Sequence, residues 1–316
     1  MADTIRVGTR GSALALAQTE QIAKALGRAA GLEVEFVTVT TQGDTSTAAL
    51  ASLGGTGVFA SALREALLAG DVDVIVHSLK DLPTAAYPGL VIGAIPRRAD
   101  ARDVLVARDG LTLDTLPEGA RVGTGSPRRI AELGARRPDL VVDPGLRGNI
   151  DTRMSKVGAA GLDAIILAAA GLDRLGRAEA VTERLSLSDW PTAPGQGALA
   201  LEVREERASD AIGRALAAGL GAIDHATTRA TVTAERAVLA GLEAGCAAPV
   251  AASAMVDDGM LFLTASVYAL DGSAVLTASH AAVPESTAAL DLLAAAEEVA
   301  QRAVDELLAA GAKELA

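Results

Sequence analysis

Residues 72–83, VDVIVHSLKDLP, decide how the rest of the chain is read. Val72, Val74, Ile75 and Val76 form an apolar, β-branched run suited to burial on both faces of a sheet, and the run stops at His77, Ser78, Lys80 and Asp81. Polar residues that close a buried strand lie at a carboxyl edge of its sheet, where open α/β folds bind ligands. Taken alone, Lys80 and Asp81 fit either a solvated pair ahead of Pro83 or one wall of a binding site. The flanking sequence separates the two.

Towards the N-terminus, residues 5–9 predict a short strand, followed by Arg10, Gly11 and Ser12 and a helix over 13–29. Ser12 is a candidate N-cap, which would turn backbone N–H groups and Arg10 towards the same space. Residues 32–41 predict the next strand. The polar stretch 42–57 is too long for a tight connection and is expected to act as a lid. A helix over 58–69, ended by Gly70, leads into the opening stretch, so strand–helix–strand repetition predicts a parallel sheet. After a strand over 90–95 the pattern restarts at 104–107, which places a crossing near residue 100.

The second unit has expected strands near 121–123, 140–143 and 163–167, with helices between them. Ser126 and Pro127 form a strong helix start, an N-cap followed by proline at the first helical position. Arg128 and Arg129 then fall in the first turn, where the helix dipole disfavours each cation by about 0.3–1 kcal/mol. Arg147 and Arg153 flank the next helix start, and Arg174 follows the strand at Ile165. Clustered guanidiniums repel by several kcal/mol at an effective dielectric of about 20, while a charge-assisted bond to a carboxylate returns roughly 1.5–3 kcal/mol. Such a cluster calls for an anion.

Residues 191–197, PTAPGQG, read as a connector, and 198–203 as a strand returning to the first sheet; two crossings between α/β units make a hinged cleft. From about residue 222 an Ala-rich helix is expected to reach 243, followed by a small-residue loop carrying Cys246. Three strands near 249–256, 260–270 and 274–282 follow, joined by Asp258-Gly259 and Asp271-Gly272, the strongest short hairpin signal. A helix over 285–310 closes the chain. The expected fold is α/β, with a first domain of residues 1–99 and 198–219, a second of 100–197, and a C-terminal α+β domain of 220–316 with a three-stranded antiparallel sheet.

Composition narrows the function. The 316 residues carry a net charge of −12, which argues against nonspecific binding to nucleic acid or anionic membrane, and six aromatics are too few for base-stacking platforms. Residues 121–156 reverse the sign, at +4 against −16 for the remainder, which suits a small anionic ligand. A single cysteine excludes an intramolecular disulfide, and three scattered histidines argue against a metal site. With no long apolar run and no secretory leader pattern, a soluble cytoplasmic protein is expected, by default a monomer.

Nine segments carry a family likeness along nearly the whole chain: RVGTRGSALAL (6–16), TQGD (41–44), GGTGVF (54–59), VHSLKDLP (76–83), VGTGSPRR (122–129), LRGNIDTRMSK (146–156), DAIILAAAGLDRLG (163–176), APGQGAL (193–199) and EAGC (243–246). In order and spacing they resemble the porphobilinogen deaminases (hydroxymethylbilane synthases). The resemblance implies two α/β domains like those of hinged periplasmic binding proteins and a third domain that carries a cofactor cysteine. It implies a transferase that joins four porphobilinogen molecules head to tail, releasing ammonia at each step, on a dipyrromethane cofactor, and frees hydroxymethylbilane with water. The dipyrromethane would be held by thioether to Cys246, which then anchors a primer and is not a turnover nucleophile. The residue matching the family's catalytic carboxylate is Asp81. By motif match Ser78, Lys80, Asp81, Thr124, Ser126, Arg128, Arg129 and Gly148 bind the cofactor. Arg10, Ser12, Phe59, Arg147, Arg153, Arg174 and Gln196 bind substrate, with Phe59 packing on the pyrroles. Many members have lysine where this chain has Ser52 and Thr56, and glycine where it has Ala244; Ala247 and Ala248 replace more polar residues. No role is carried onto Ser52 or Thr56. A hinged-cleft binding protein for a small polyanion would use the same arginines, but would leave HSLKDLP and the cysteine loop without purpose.

Overall fold

The computed structural model describes residues 3–40, 58–158, 161–206, 210–245 and 248–315. In chain order the elements are β1 (Thr4–Thr9), α1 (Ala13–Ala30), β2 (Glu33–Thr38), α2 (Val58–Ala69), β3 (Val74–Ser78), β4 (Leu90–Ala94), β5 (Asp103–Ala107), β6 (Arg121–Gly123), α3 (Pro127–Arg136), β7 (Val141–Asp143), α4 (Ile150–Met154), β8 (Ala164–Ala168), α5 (Ala169–Arg174), β9 (Glu183–Arg184), β10 (Leu199–Arg204), α6 (Ala211–Ile223), α7 (Ala226–Gly241), β11 (Val250–Asp257), β12 (Met260–Tyr268), β13 (Val275–Ala282), α8 (Ala289–Ala309) and α9 (Ala312–Leu315). They form two compact units, Met1–Ala99 with Ala198–Arg229, and Asp100–Gly197 with Ala230–Ala316.

In the first unit the sheet order is β2-β1-β3-β10-β4. β1 runs parallel to β2 and β3, but β10 is antiparallel to both its neighbours, β3 and β4. The sheet is therefore mixed where a parallel one was expected. The physical reason is the crossing connection: it delivers the chain at the carboxyl edge, so Leu199 pairs with Ser78 and the strand can only run back. The alternation of β3 is buried on both sides. Val74 and Val76 pack with Ile5, Val7, Leu201 and residues of α1 and α6, while Ile75 packs with Leu63 and Leu67 of α2.

The α/β sheet of the second unit repeats the pattern as β7-β6-β8-β5-β9. β6 is parallel to β7 and β8, and β5, the strand that follows the other crossing, is antiparallel to β8 and β9. The same unit contains an antiparallel meander, β11-β12-β13. Asp258 (φ 46°) and Gly259 (φ 75°) both take left-handed backbone, the geometry that the Asp-Gly pair predicts for a tight hairpin. α8 covers the meander with Leu292, Ala295, Ala296, Val299, Ala303 and Leu307, a stripe at three- and four-residue spacing.

The helix expected over 222–243 is α7, which starts four residues later, and a helix not expected, α6, precedes it. α6 ends at Ile223 and α7 begins at Ala226; between them Asp224 accepts the Ile95 N–H at 2.6 Å and pairs with Arg229 at 2.8 Å. A buried strand-end amide draws the carboxylate away from helical geometry. The last change between the two units falls at Arg229/Ala230, inside α7.

Candidate functional site

In the first unit the candidate residues collect at the carboxyl ends of the parallel neighbours β1 and β3. Residues Leu79–Asp81 form one 3-10 turn, closed by Leu82 N–H to the Leu79 carbonyl (3.1 Å) and tied to the sheet by Leu79 N–H to the Ala198 carbonyl (3.0 Å). Leu79 and Leu82 are buried, so the turn anchors itself through its apolar members and turns Asp81 to solvent. Among the described residues the Asp81 carboxylate has no hydrogen-bond or ion-pair partner. Lys80 and Arg10 are half-buried. Ser12 caps α1, its Oγ accepting from Ala15 N–H at 3.3 Å. Ser78 Oγ reaches Gln18 Oε1 only at 3.5 Å.

His77, which has no role in the sequence patterns, belongs to a buried cluster behind this turn. Its Nε2 lies 3.1 Å from Glu202 Oε2, and Glu202 accepts a fork from Arg64, Nε at 2.9 Å and Nη2 at 2.8 Å. Arg64 in turn lies over the Tyr87 ring, 4.5 Å from its centroid. Glu202 and Arg64 escape a reading along the chain because their partners lie 125 and 138 residues away. The available signal is an acid inside the otherwise apolar run LALEV of β10.

In the second unit Arg128 and Arg129 stand in the first turn of α3, as expected, but both are buried and both meet Asp103. Arg129 binds it as a fork, Nη2 to Oδ1 at 2.5 Å and Nε to Oδ2 at 3.0 Å, and Arg128 Nη2 reaches Oδ2 at 2.6 Å. Trp190 Nε1 (3.0 Å) and Gln196 Nε2 (2.8 Å) also donate to Asp103, which is fully buried. Burial by itself would raise this carboxyl; the two arginine charges overcome it and hold Asp103 far below the usual carboxylate range. The anion demanded by the first-turn arginines is thus in part the protein's own. Nothing in residues 100–107 signals this, because an acid ahead of an apolar strand reads as a loop residue. Gln196 donates its second amide hydrogen to the Ala101 carbonyl (2.8 Å), so both its N–H groups are spent inside the unit.

Arg128 Nη1 bonds the Pro191 carbonyl (3.1 Å) and, through a very short contact, Glu132. Three buried polar atoms among the described residues lack any partner, Arg128 Nε, Glu132 Oε1 and Thr192 Oγ1. Burial pushes Glu132 up to about 8, with Asp103 adding to the rise and Arg128 opposing it. Tyr268 of β12 is raised for the same reason, by burial and by Glu132.

Arg147, Arg153 and Arg174 differ from this pair. Among the described residues they bond only carbonyl oxygens: Arg147 those of Pro144 and Leu146 (both 2.9 Å), Arg153 that of Gly148 (2.7 Å), Arg174 that of Gly197 (2.8 Å). Burial, then the charges of Arg129 and Arg147, lower Arg153, which places these guanidiniums within mutual repulsion. Two glycines make the arrangement possible. A Cβ at Gly125 would stand 2.0 Å from Arg147 Nη1, and Gly148 (φ 111°) holds a backbone closed to other residues. Thr124 is buried with its Oγ1 accepting from Ser126 N–H (3.3 Å); Ser126 precedes α3 without a side-chain cap bond, so Pro127 alone marks the helix start. Cys246 and the side chain of Phe59 lie outside the described residues, as does the whole of the expected lid, 42–57.

The first unit thus carries an unpaired aspartate at the carboxyl edge of its sheet, and the second, among its described residues, guanidiniums bonded only to carbonyls, a donor set suited to an anionic ligand. Two family models cover the chain: "Porphobilinogen deaminase, dipyromethane cofactor binding domain" over residues 5–211 and "Porphobilinogen deaminase, C-terminal domain" over 229–309. The porphobilinogen deaminase of Leifsonia xyli subsp. xyli is 65% identical over 99% of this chain and 94% of its own length. That of Micrococcus luteus is 55% identical over 86% and 80%. Among solved structures, a methionine-binding protein is 14% identical over 68% of this chain and 89% of its own, with a TM-score of 0.43. The chain belongs to the porphobilinogen deaminase family, transferases of tetrapyrrole synthesis, and its first 211 residues contain that family's dipyrromethane-binding region.

Proposed function

We propose that this chain is a hydroxymethylbilane synthase, joining four porphobilinogen molecules head to tail with loss of ammonia and freeing the linear tetrapyrrole with water. The observation that carries this reading is the set Arg147, which is exposed, with Arg153 and Arg174, which are half-buried: among the described residues these cations bond only carbonyls. Each pyrrole of the substrate bears an acetate and a propionate, and charge-assisted bonds to carboxylates complete these donors. The donor set fits a dipyrromethane, whose carboxylates suit the same chemistry; when bound, that group supplies the primer to be extended. Cys246 would hold it by thioether, with Ser78, Lys80, Thr124, Ser126, Arg128, Arg129 and Gly148 around it. Arg10, Ser12, Phe59 and the three arginines would bind substrate.

Asp81 has the free carboxylate the chemistry requires. Its oxygens would accept the pyrrole N–H groups, stabilise the positive charge that grows as ammonia departs, and take part in the attendant proton transfers. Gln196 is reassigned within this scheme: with both amide hydrogens committed, it would orient Asp103 and Ala101 instead of binding a ligand carboxylate. The three-domain division, a monomeric state and a cytoplasmic location belong to the same proposal. They are supported by the meander being a sheet of its own, by the charge of −12 and by the finding that no described helix is long and apolar enough to cross a membrane. The test is turnover of porphobilinogen with ammonia and hydroxymethylbilane measured together. A ratio of four ammonia to one tetrapyrrole is expected; consumption of substrate without linear tetrapyrrole would refute the assignment.

A further inference from the structure

Asp103 is a heavily coordinated carboxylate of the second unit. Five donor contacts converge on it: three from Arg128 and Arg129, one from Trp190 and one from Gln196. It opens β5, the antiparallel strand that follows the crossing at residue 100, and pairs with Ala168 at the carboxyl end of β8. The strand reversal therefore brings the first residue of β5, an acid, to the edge at which β8 ends. Trp190, just ahead of the connector 191–197, and Gln196, within it, also reach this carboxylate.

Two features separate this from an ordinary buried ion pair. Arg129 is bound to Asp103 through Nε and Nη2, which fixes the plane of its guanidinium, and its charge is among those that act on Arg153. Asp103 thus fixes the orientation of Arg129, one of the two guanidiniums whose charge acts on Arg153. Arg128, bonded through Nη2 to Oδ2 of the same carboxylate, keeps a buried Nε with no acceptor among the described residues. Both arginines retain donors while their orientation is set.

We propose that Asp103 is a positioning residue for cofactor loading: it holds Arg128 and Arg129 as a preformed pair, and an incoming carboxylate adds to their remaining donors without displacing it. The proposal rests on the deaminase reading, and it concerns how the chain acquires a dipyrromethane, not how it turns over. A guanidinium already fixed by a fork loses little freedom when the ligand arrives, the usual source of affinity from preorganisation. Displacement of Asp103 would instead leave a buried carboxylate without its two cations, an arrangement too costly to accompany binding.

The test compares wild type with Asp103→Asn and Asp103→Glu, reading the mass of the denatured proteins as purified and the time course of adduct formation when apo-protein meets porphobilinogen. Loading about tenfold or more slower is expected for Asp103→Asn, with Asp103→Glu intermediate because it keeps the charge but moves it by one methylene. Trp190, the sole tryptophan, reports on the same carboxylate through its Nε1 bond. Its emission is expected to shift in Asp103→Asn yet stay fixed as wild type loads. Wild-type loading in both variants would overturn the proposal, and so would a shift of Trp190 emission on loading of the wild type. If Asp103→Asn does not fold, Asp103→Glu decides alone, since unaltered loading in a variant of unchanged melting temperature contradicts it. Absence of any adduct on wild type would instead defeat the deaminase reading itself.

Discussion

At the scale of single residues, the site divides the charged groups by what they are already bonded to. Asp81 has no partner among the described residues and stands on a turn whose leucines are buried, so its carboxylate is fixed in place but chemically free. Asp81→Asn keeps the shape and removes the charge. The variant should carry its cofactor adduct yet turn over porphobilinogen about a hundredfold to ten-thousandfold more slowly, the range for loss of a positioned acid–base group. Near-normal steady-state rates would remove Asp81 from the chemistry. Gly125 makes a second test possible, because a methyl there would overlap Arg147 Nη1. Gly125→Ala should push that guanidinium off the Pro144 and Leu146 carbonyls and raise KM about tenfold, equivalent to about 1.4 kcal/mol, with kcat little changed. Asp81 and the arginines were legible in the sequence because motif and chemistry coincide there. Asp103, Glu202 and Arg64 were not: each is meaningful only through a partner brought by a strand pairing, and linear spacing carries no trace of it.

At the scale of elements, period and punctuation gave most boundaries to within one or two residues, as at α1, α2 and the three strands of the meander. Direction was the feature lost. The pattern of β10 and β5 is that of any buried strand, and nothing in a run such as LALEV states that it enters its sheet against the others. Helix α3 shows how tightly elements of the second unit are fitted. A Cβ at Gly272 would stand 2.6 Å from Ala135 N and 2.8 Å from the Ala131 carbonyl, at a backbone φ of +76°. Gly272→Ala should cost about 1–3 kcal/mol from the left-handed backbone alone, and more from the clash, as a lowered denaturant midpoint. The same contact carries a pH dependence. Glu132 of α3 is raised from 4.5 to about 8. A raised folded value means the folded state holds the proton more tightly than the unfolded chain does. The stabilisation is complete below pH 4.5, declines above it and is lost as pH passes about 8. Glu132→Gln should flatten the melting temperature across that window; an unchanged slope would show that Glu132 is not the group responsible.

At the scale of the molecule, an acidic chain keeps its cations where a polycarboxylate is wanted. The net charge of −12 surrounds a segment of +4, so long-range repulsion of other polyanions and local capture of a small one coexist. Both α/β sheets share one strand order and place their reversed strand directly after a crossing, which sets the candidate residues of each unit at a carboxyl edge. The central claim is that this scaffold carries a covalent primer on Cys246. Intact mass of the denatured protein tests it most directly. The account predicts a chain heavier than its sequence by two pyrrole units, an increment abolished in Cys246→Ala and extended by one to three further units after limited porphobilinogen. A fully active protein whose mass equals that of its bare sequence would contradict it.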